Sequence, residues 1–193
     1  MSQPGTARTR LLNVALTLFT RHGVEATSLQ MIADELGVTK AAVYHQFHAK
    51  EDIVVALTEP LVEGLRSAIE QAEAKRGAAA RTDAALAGII DLVVRNRHLA
   101  ALLQADVAMA RLMDTDPERL DLKLRIGALL AGPEPTTERL VRVAMVGGGL
   151  MLTGHDPNLA AVSDDELGHH LLTSARRLLG LRTPASDRVP TTR

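Results

Sequence analysis

Apolar residues recur at three- and four-residue intervals along almost the whole chain, and no strand pattern or repeat stands out. The pattern is therefore helical throughout. Leu12, Ala15, Leu16 and Phe19 mark a first helix over about Thr9–His22, ended by Gly23, with residues 1–7 a loose tail. Ser28 is placed to cap a second helix whose stripe is Leu29, Ile32, Ala33 and Leu36. Gly37 suits a left-handed position after it, and Val38 is expected to plug the corner. Thr39 then caps a short third helix over Lys40–Phe47, with Val43 and Phe47 inward. A fourth helix is expected from about Ala49 to Lys75, kinked or broken at Pro60, where one intrahelical bond is lost and the ring meets the preceding turn.

Lys75 to Arg81 reads as a connection. Asp83–Asn96 follows as a helix carrying Leu86, Ile89, Ile90, Val93 and Val94, and His98–Met113 as another carrying Leu99, Leu102, Leu103, Met109 and Leu112. Asp114 to Pro117 is a turn opening a helix to Leu130, with Leu120, Leu124 and Leu129 expected inward. Gly132 to Pro135 breaks the chain, and Thr136 or Thr137 opens a helix to about Thr153. A loop over Gly154 to Asn158 precedes Ser163 and Glu166, which form a capping-box signature for a last helix ending at Gly180 or Leu181. The polar tail from Arg182 reads as disordered. The fold class is all-α, with nine or ten helices in two domains, a head over 1–50 and a body over 51–181.

Composition agrees with a globular chain: 46% of its 193 residues are hydrophobic. There is no cysteine, hence no disulfide framework and no thiol chemistry. No charge-free apolar run of membrane length occurs, and the first ten residues lack the apolar core of a signal peptide, so a cytoplasmic location with no membrane contact is expected. The net charge of −1 is unevenly spread: residues 1–50 carry five Lys/Arg against three Asp/Glu, and the rest seventeen against twenty. A positive end on an acidic body suits contact with nucleic acid.

The second and third helices, joined by a short turn containing Gly37, make a helix-turn-helix pattern, in which the second helix enters the DNA major groove. Its first residues, Thr39, Lys40, Ala41 and Ala42, are the candidates for base edges. The small side chains permit close approach, an alanine methyl can touch a thymine methyl, and Lys40 can reach a guanine or a phosphate. Tyr44 and His45 suit the sugar-phosphate backbone, and Gln30 and His48 complete the candidate set. Lys50 opens the next helix, where its ammonium and the free N–H groups can hold a phosphate. Arg8 and Arg10 read as solvated cations of the tail, with phosphate contact as the alternative. A three-helix core with no nucleic-acid role would show the same apolar pattern.

A family resemblance rests on several independent spacings. They are an alanine-containing first helix ending Phe19-x-x-x-Gly23, Thr27-Ser28, Ile32-Ala33, Gly37-Val38-Thr39, Tyr44-x-x-Phe47 and Lys50-Glu51-x-Ile53. Together the run from Leu11 to about Leu57 resembles the N-terminal domain of the TetR (tetracycline-repressor-like) family of bacterial transcription regulators. The resemblance covers roughly the first 57 of 193 residues. It implies double-stranded operator DNA as partner, a homodimer, and a small-molecule effector held in the body, whose fourth helix transmits effector binding to the head. It implies no cofactor. Leu61, Leu65, Ile89, Val93, Leu102, Leu103, Met109, Met113, Met145 and Leu152 are the candidate effector-lining residues. The chain's own contribution is that Phe19, Tyr44 and Phe47, its three aromatics, all lie in the head. A body pocket is thus aliphatic, which favours an aliphatic or amphipathic effector over planar aromatic cations.

The helix over 137–153 is apolar on nearly every side, so one face requires a partner. Leu140, Ala144, Gly147, Gly148 and Met151, with Leu167, Leu171, Ala175 and Leu178 of the last helix, are the candidate dimer seam. Gly147, Gly148 and Gly149 each cost about 1 kcal/mol relative to Ala in mid-helix, which calls for close backbone approach or a gap for a ligand. No catalytic or metal site is supported. Asp165/His169 and Glu166/His170 have ligand spacing, but no third ligand follows, and His98 and His155 are isolated. The reading is a dimeric repressor released from a near-palindromic operator by its effector. The alternative is a helical regulator or interaction protein controlled by a protein partner.

Overall fold

A computed structural model describes residues 4–97, 99, 116–153 and 156–181. The rest of the helix expected over 98–113, with Leu102, Leu103, Met109 and Met113, lies outside the described residues, as do His98, His155 and the tail from Arg182. The α-helices are α1 (Pro4–His22), α2 (Leu29–Leu36), α3 (Lys40–Tyr44), α4 (Lys50–Glu73), α5 (Ala78–Arg95), α6 (Pro117–Ala131), α7 (Thr137–Thr153) and α8 (Asp164–Leu178), with a 3₁₀ turn at Pro157–Leu159. No strand occurs among the described residues.

Local chemistry sets most boundaries. Ser28 Oγ accepts from Met31 N at 3.2 Å and Thr39 Oγ1 from Ala42 N at 3.3 Å, each satisfying an amide that the first helical turn leaves free. Asp116 caps α6 by accepting from Glu118 N, and Ser163 caps α8 by accepting from Glu166 N. Three boundaries differ from expectation. α1 begins at Pro4, because proline is preorganised for a first helical turn and needs no amide partner there. α5 begins at Ala78, since three successive alanines are strong helix formers even without a capping side chain. α3 ends at Tyr44, before Phe47.

α4 does not break at Pro60; the helix runs unbroken from Lys50 to Glu73. A mid-helix proline costs about 3 kcal/mol. Here Ile53, Val54, Leu57 and Thr58 on one side of it and Val62, Ala68, Ile69 and Ala72 on the other are buried, which offsets that cost.

Two cores result. The head core gathers Leu11, Ala15, Leu18, Phe19, Val24, Ile32, Ala33, Val43 and Phe47. It is completed by Ile53, Val54 and Leu57 of α4 and by Leu99. The body core joins Ala72 of α4, Ala85, Leu86, Ile90 and Val94 of α5, Leu130 of α6, Val146 and Leu150 of α7, and Leu167 and Ala175 of α8. α4 and α5 approach closely. A Cβ on Gly64 would stand 2.5 Å from Leu92 Cδ1, and one on Gly88 2.7 Å from Ala68 Cβ.

Long-range polar ties fix the body helices. Arg176 on α8 holds Asp83 on α5 through Nε–Oδ1 at 2.6 Å and Nη2–Oδ2 at 2.9 Å. Arg139 donates to the carbonyls of Leu130 and Leu179, tying α7 to the ends of α6 and α8. Burial lowers the pKa of its guanidinium from the ordinary arginine value, and the nearby Arg142 acts in the same direction. Arg119 on α6 is buried against α4. Its Nη1 donates to Thr58 Oγ1 at 2.9 Å, with Asp116 and Glu59 carboxylates 3.7 and 3.9 Å from its other nitrogens.

On α6 the inward stripe is Arg119, Leu122 and Leu130, with Ile126 and Leu129 partly buried. Leu120 and Leu124, expected inward, are exposed. Leu120, Leu122 and Leu124 stand two apart and so spread around the helix, and only Leu122 is in phase with Ile126 and Leu130. On α7 the buried side is Val146 and Leu150, while Leu140, Val141, Met145 and Leu152 face outward. A Cβ placed on Gly147, Gly148 or Gly149 would meet nothing within 4 Å.

Candidate nucleic-acid interface

The head is built to hold α3 by one side and present the other. Val43 is fully buried and Phe47, in the turn after α3, nearly so. Lys40, Ala41 and Tyr44 fall on the opposite, exposed side. His45 caps the helix, and His48 packs edge-on against Tyr44 with ring centroids 5.0 Å apart. Gln30 is exposed on α2 and donates to Asp34 Oδ1 at 2.6 Å. The turn between α2 and α3 closes through its backbone. Gly37 adopts φ +67°, Gly37 N donates to Asp34 O at 3.1 Å, and Val38 N donates to Ala33 O at 3.0 Å. Val38 does not plug the corner but is exposed, because these hydrogen bonds already fix the turn.

Lys50 has a structural task. Its Nζ donates to Val24 O and Glu25 O, both at 2.9 Å, pinning the start of α4 to the turn between α1 and α2. The Asp52 carboxylate accepts from the amides of His48 and Ala49, fixing the link from α3 to α4. Both contacts set the angle at which α3 is held. Sequence reasoning missed two neighbours of α3. Arg8 is helical, not part of a tail, and its guanidinium carbon lies 5.0 Å from the Phe47 ring centroid. Arg10 lines a small cleft of about 100 Å³ with Val38, Ala42, Val43 and Gln46. Pro4 followed by an uninterrupted helical phase was the signal available for both.

Residues 11–57 match the profile of the bacterial regulatory proteins, tetR family. A curated relative, the HTH-type transcriptional repressor KstR2 of Mycolicibacterium smegmatis, is 34% identical over 70 residues, 36% of this chain and 34% of the relative. The chain thus aligns with about a third of that protein's length. In fold the likeness extends over most of the chain. The solved ketosteroid transcriptional regulator KstR2 of Mycobacterium tuberculosis superposes with a TM-score of 0.70 over 94% of this chain and 97% of that one, at 16% identity. The family match thus covers the head, and over the body the likeness is one of fold. The transcriptional regulator FadR from Bacillus subtilis, solved in complex with stearoyl-CoA, shares this fold with a TM-score of 0.61 and 19% identity, over 89% of this chain and 96% of that one. These relatives are named as transcriptional regulators, not as enzymes.

The candidate body residues divide. Val93 is buried, and Leu61, Leu65 and Ile89 are partly buried on the inner sides of their helices. Met145 and Leu152, expected to line an effector cavity, are 57% and 61% exposed on the outer face of α7, out of phase with Val146 and Leu150. Of the expected seam, Leu140, Ala144 and Gly148 are exposed, Gly147, Met151 and Leu171 half-buried, and Leu178 exposed. Leu167 and Ala175 instead belong to the chain's own core, because the inner stripe of α8 packs on α5. An open groove of about 500 Å³ runs between α4 and α5, lined by Gly64, Ser67, Gln71, Lys75, Ala87 and Asp91 among others. Among the described residues no group of three metal-ligating side chains occurs. Glu166 and His170 are 4.0 Å apart and exposed. No described helix is long and apolar enough to cross a membrane.

Proposed function

We propose that the protein is a dimeric transcriptional repressor that binds a near-palindromic operator in the cytoplasm and leaves it when a small aliphatic or amphipathic effector binds the body. The observation that carries the reading is the presentation of α3. Val43 and Phe47 anchor it while Lys40, Ala41, Tyr44 and His45 stand clear of the head, as entry into a major groove requires. The tetR-family match over this segment and the repressor named among its relatives support it.

Dimerisation is supported by the outer face of α7. Leu140, Val141, Met145 and Leu152 are exposed in the single chain, and three mid-helix glycines have no neighbour in it to make room for. A second copy laid along this face would cover the leucines and use the glycines for close approach. Two heads would then meet DNA about one turn apart, roughly 34–36 Å, or somewhat wider. The aliphatic effector is supported by the absence of aromatic residues from the body and by the stearoyl-CoA bound in the similarly folded FadR. The test is binding to the DNA flanking the protein's own gene, titrated against salt and then against acyl-chain compounds. Tight, salt-sensitive binding to one near-palindrome, relieved by such a compound, is expected. Binding no tighter than to random DNA would overturn the reading.

A further inference from the structure

We propose that Arg8 and Arg10, on the first turns of α1, contact DNA phosphates and flank α3 while it lies in the groove. The proposal rests on the DNA-binding reading above. Arg8 stands three and seven residues before the buried Leu11 and Ala15, so it carries the inward stripe of α1 just past the edge of the core. There its guanidinium lies 5.0 Å from the centroid of Phe47, the buried ring that anchors the far end of the recognition unit. A guanidinium drawn to a ring face still has N–H donors to offer a second partner. Arg10 lies across the small cleft from Ala42 and Gln46, which are one turn apart on the flank of the recognition unit. Two separate contacts therefore put α1 arginines beside α3, one at its end and one along its side.

The dimensions make phosphates their natural partner. A major groove is about 12 Å wide and a helix with its side chains about 10–12 Å across. Cations packed against the flank of an inserted helix then come up against the sugar-phosphate wall instead of the bases. A guanidinium fork matches phosphate oxygens two at a time. Lys50, a further cation of the head, already holds two backbone carbonyls. Contacts of this kind set register and affinity without reading sequence.

The experiment uses the full chain on two duplexes, its preferred site and a random sequence, between 50 and 200 mM salt. Arg8→Ala and Arg10→Ala are each expected to flatten the slope of log affinity against log salt by roughly 0.9. Across that salt range each variant then loses about three- to fourfold less affinity than the parent. The double variant should lose twice the slope, affinity should fall equally on both duplexes, and Arg8→Lys should keep most of the slope. Arg10 touches no ring, so its variant reports even where loss of the Arg8 contact loosens the head. A double variant with the parental slope overturns this proposal alone. A parent that binds neither duplex overturns the DNA-binding reading with it.

Discussion

Around Phe19 the head packs Leu11, Ala15, Ile32, Val43 and Ile53 until little that is large and apolar remains outside except Val38, Tyr44 and Val55. The body packs as densely around Leu86 and Ile90, yet turns Leu140, Val141, Met145 and Leu152 of α7 to the outside. The two regions are made of the same kind of helix. What separates them is what they leave unburied: a polar, partly basic face on the head and an apolar one on the body. Scattered exposed leucines need no explanation, but several on one helix, beside three glycines with open space, are what the proposed dimer would cover.

The comparison can be broken most severely at the head core. Phe19→Ala should cost about 3–5 kcal/mol, because the ring is almost fully buried in a core shared by α1, α2, α3 and α4. Urea unfolding would measure it; a loss under about 1 kcal/mol would mean the core collapses around the gap. Next comes the junction. Thr58→Val should cost about 1–3 kcal/mol by leaving the buried Arg119 guanidinium short of one acceptor, and Thr58→Ser should restore most of it. Lys50→Met should cost about 1–2 kcal/mol through the lost carbonyl contacts at Val24 and Glu25, even with no DNA present. A Lys50 variant as stable as the parent but poorer on DNA would return that residue to the purely phosphate-binding role its sequence position suggests.

The smallest effect is also the sharpest contrast. Gly37→Ala should destabilise by about 1 kcal/mol, since φ +67° crowds a side chain. Gly148→Ala, in a helical position with nothing within 4 Å, should stabilise the isolated chain by up to about 1 kcal/mol. If the proposed dimer forms through this face, Gly148→Leu should in addition shift it towards monomer in sedimentation. A Gly148→Leu dimer as tight as the parent's would place the covered face elsewhere.

The head was legible in the sequence because its signals are local and agree: two hydroxyl caps, glycines at the two left-handed turns, Gly23 and Gly37, and stripes in phase with them. The body was legible in its helices but not in their orientation. Leucines at 120, 122 and 124 give no single phase by themselves, and the face of α6 is decided by Arg119 and Ile126, which meet α4 or the residues packed on it. Leu167 and Ala175 look like seam residues until α5 is seen to occupy their side of α8. Ties such as Arg176 to Asp83 or Thr82 to the carbonyl of Leu129 join residues far apart in the chain, and nothing near either partner announces the other. The same holds for Arg8, whose neighbour Phe47 lies across the head.

Leu99 bears on how such proteins can be rebuilt. It lies beyond α5, in the second half of the chain, yet its side chain is packed in the core that holds α3 in place. The head is therefore not a cassette that can be lifted off at the start of α4. A chimera that joins these first helices to another relative's body inherits whatever side chain that body supplies in place of Leu99, and a small or polar one there leaves a gap in the head core. Exchanges that carry the residue along with the head, or choose bodies that offer a leucine-sized plug, are the ones expected to yield a recognition helix held at its native angle.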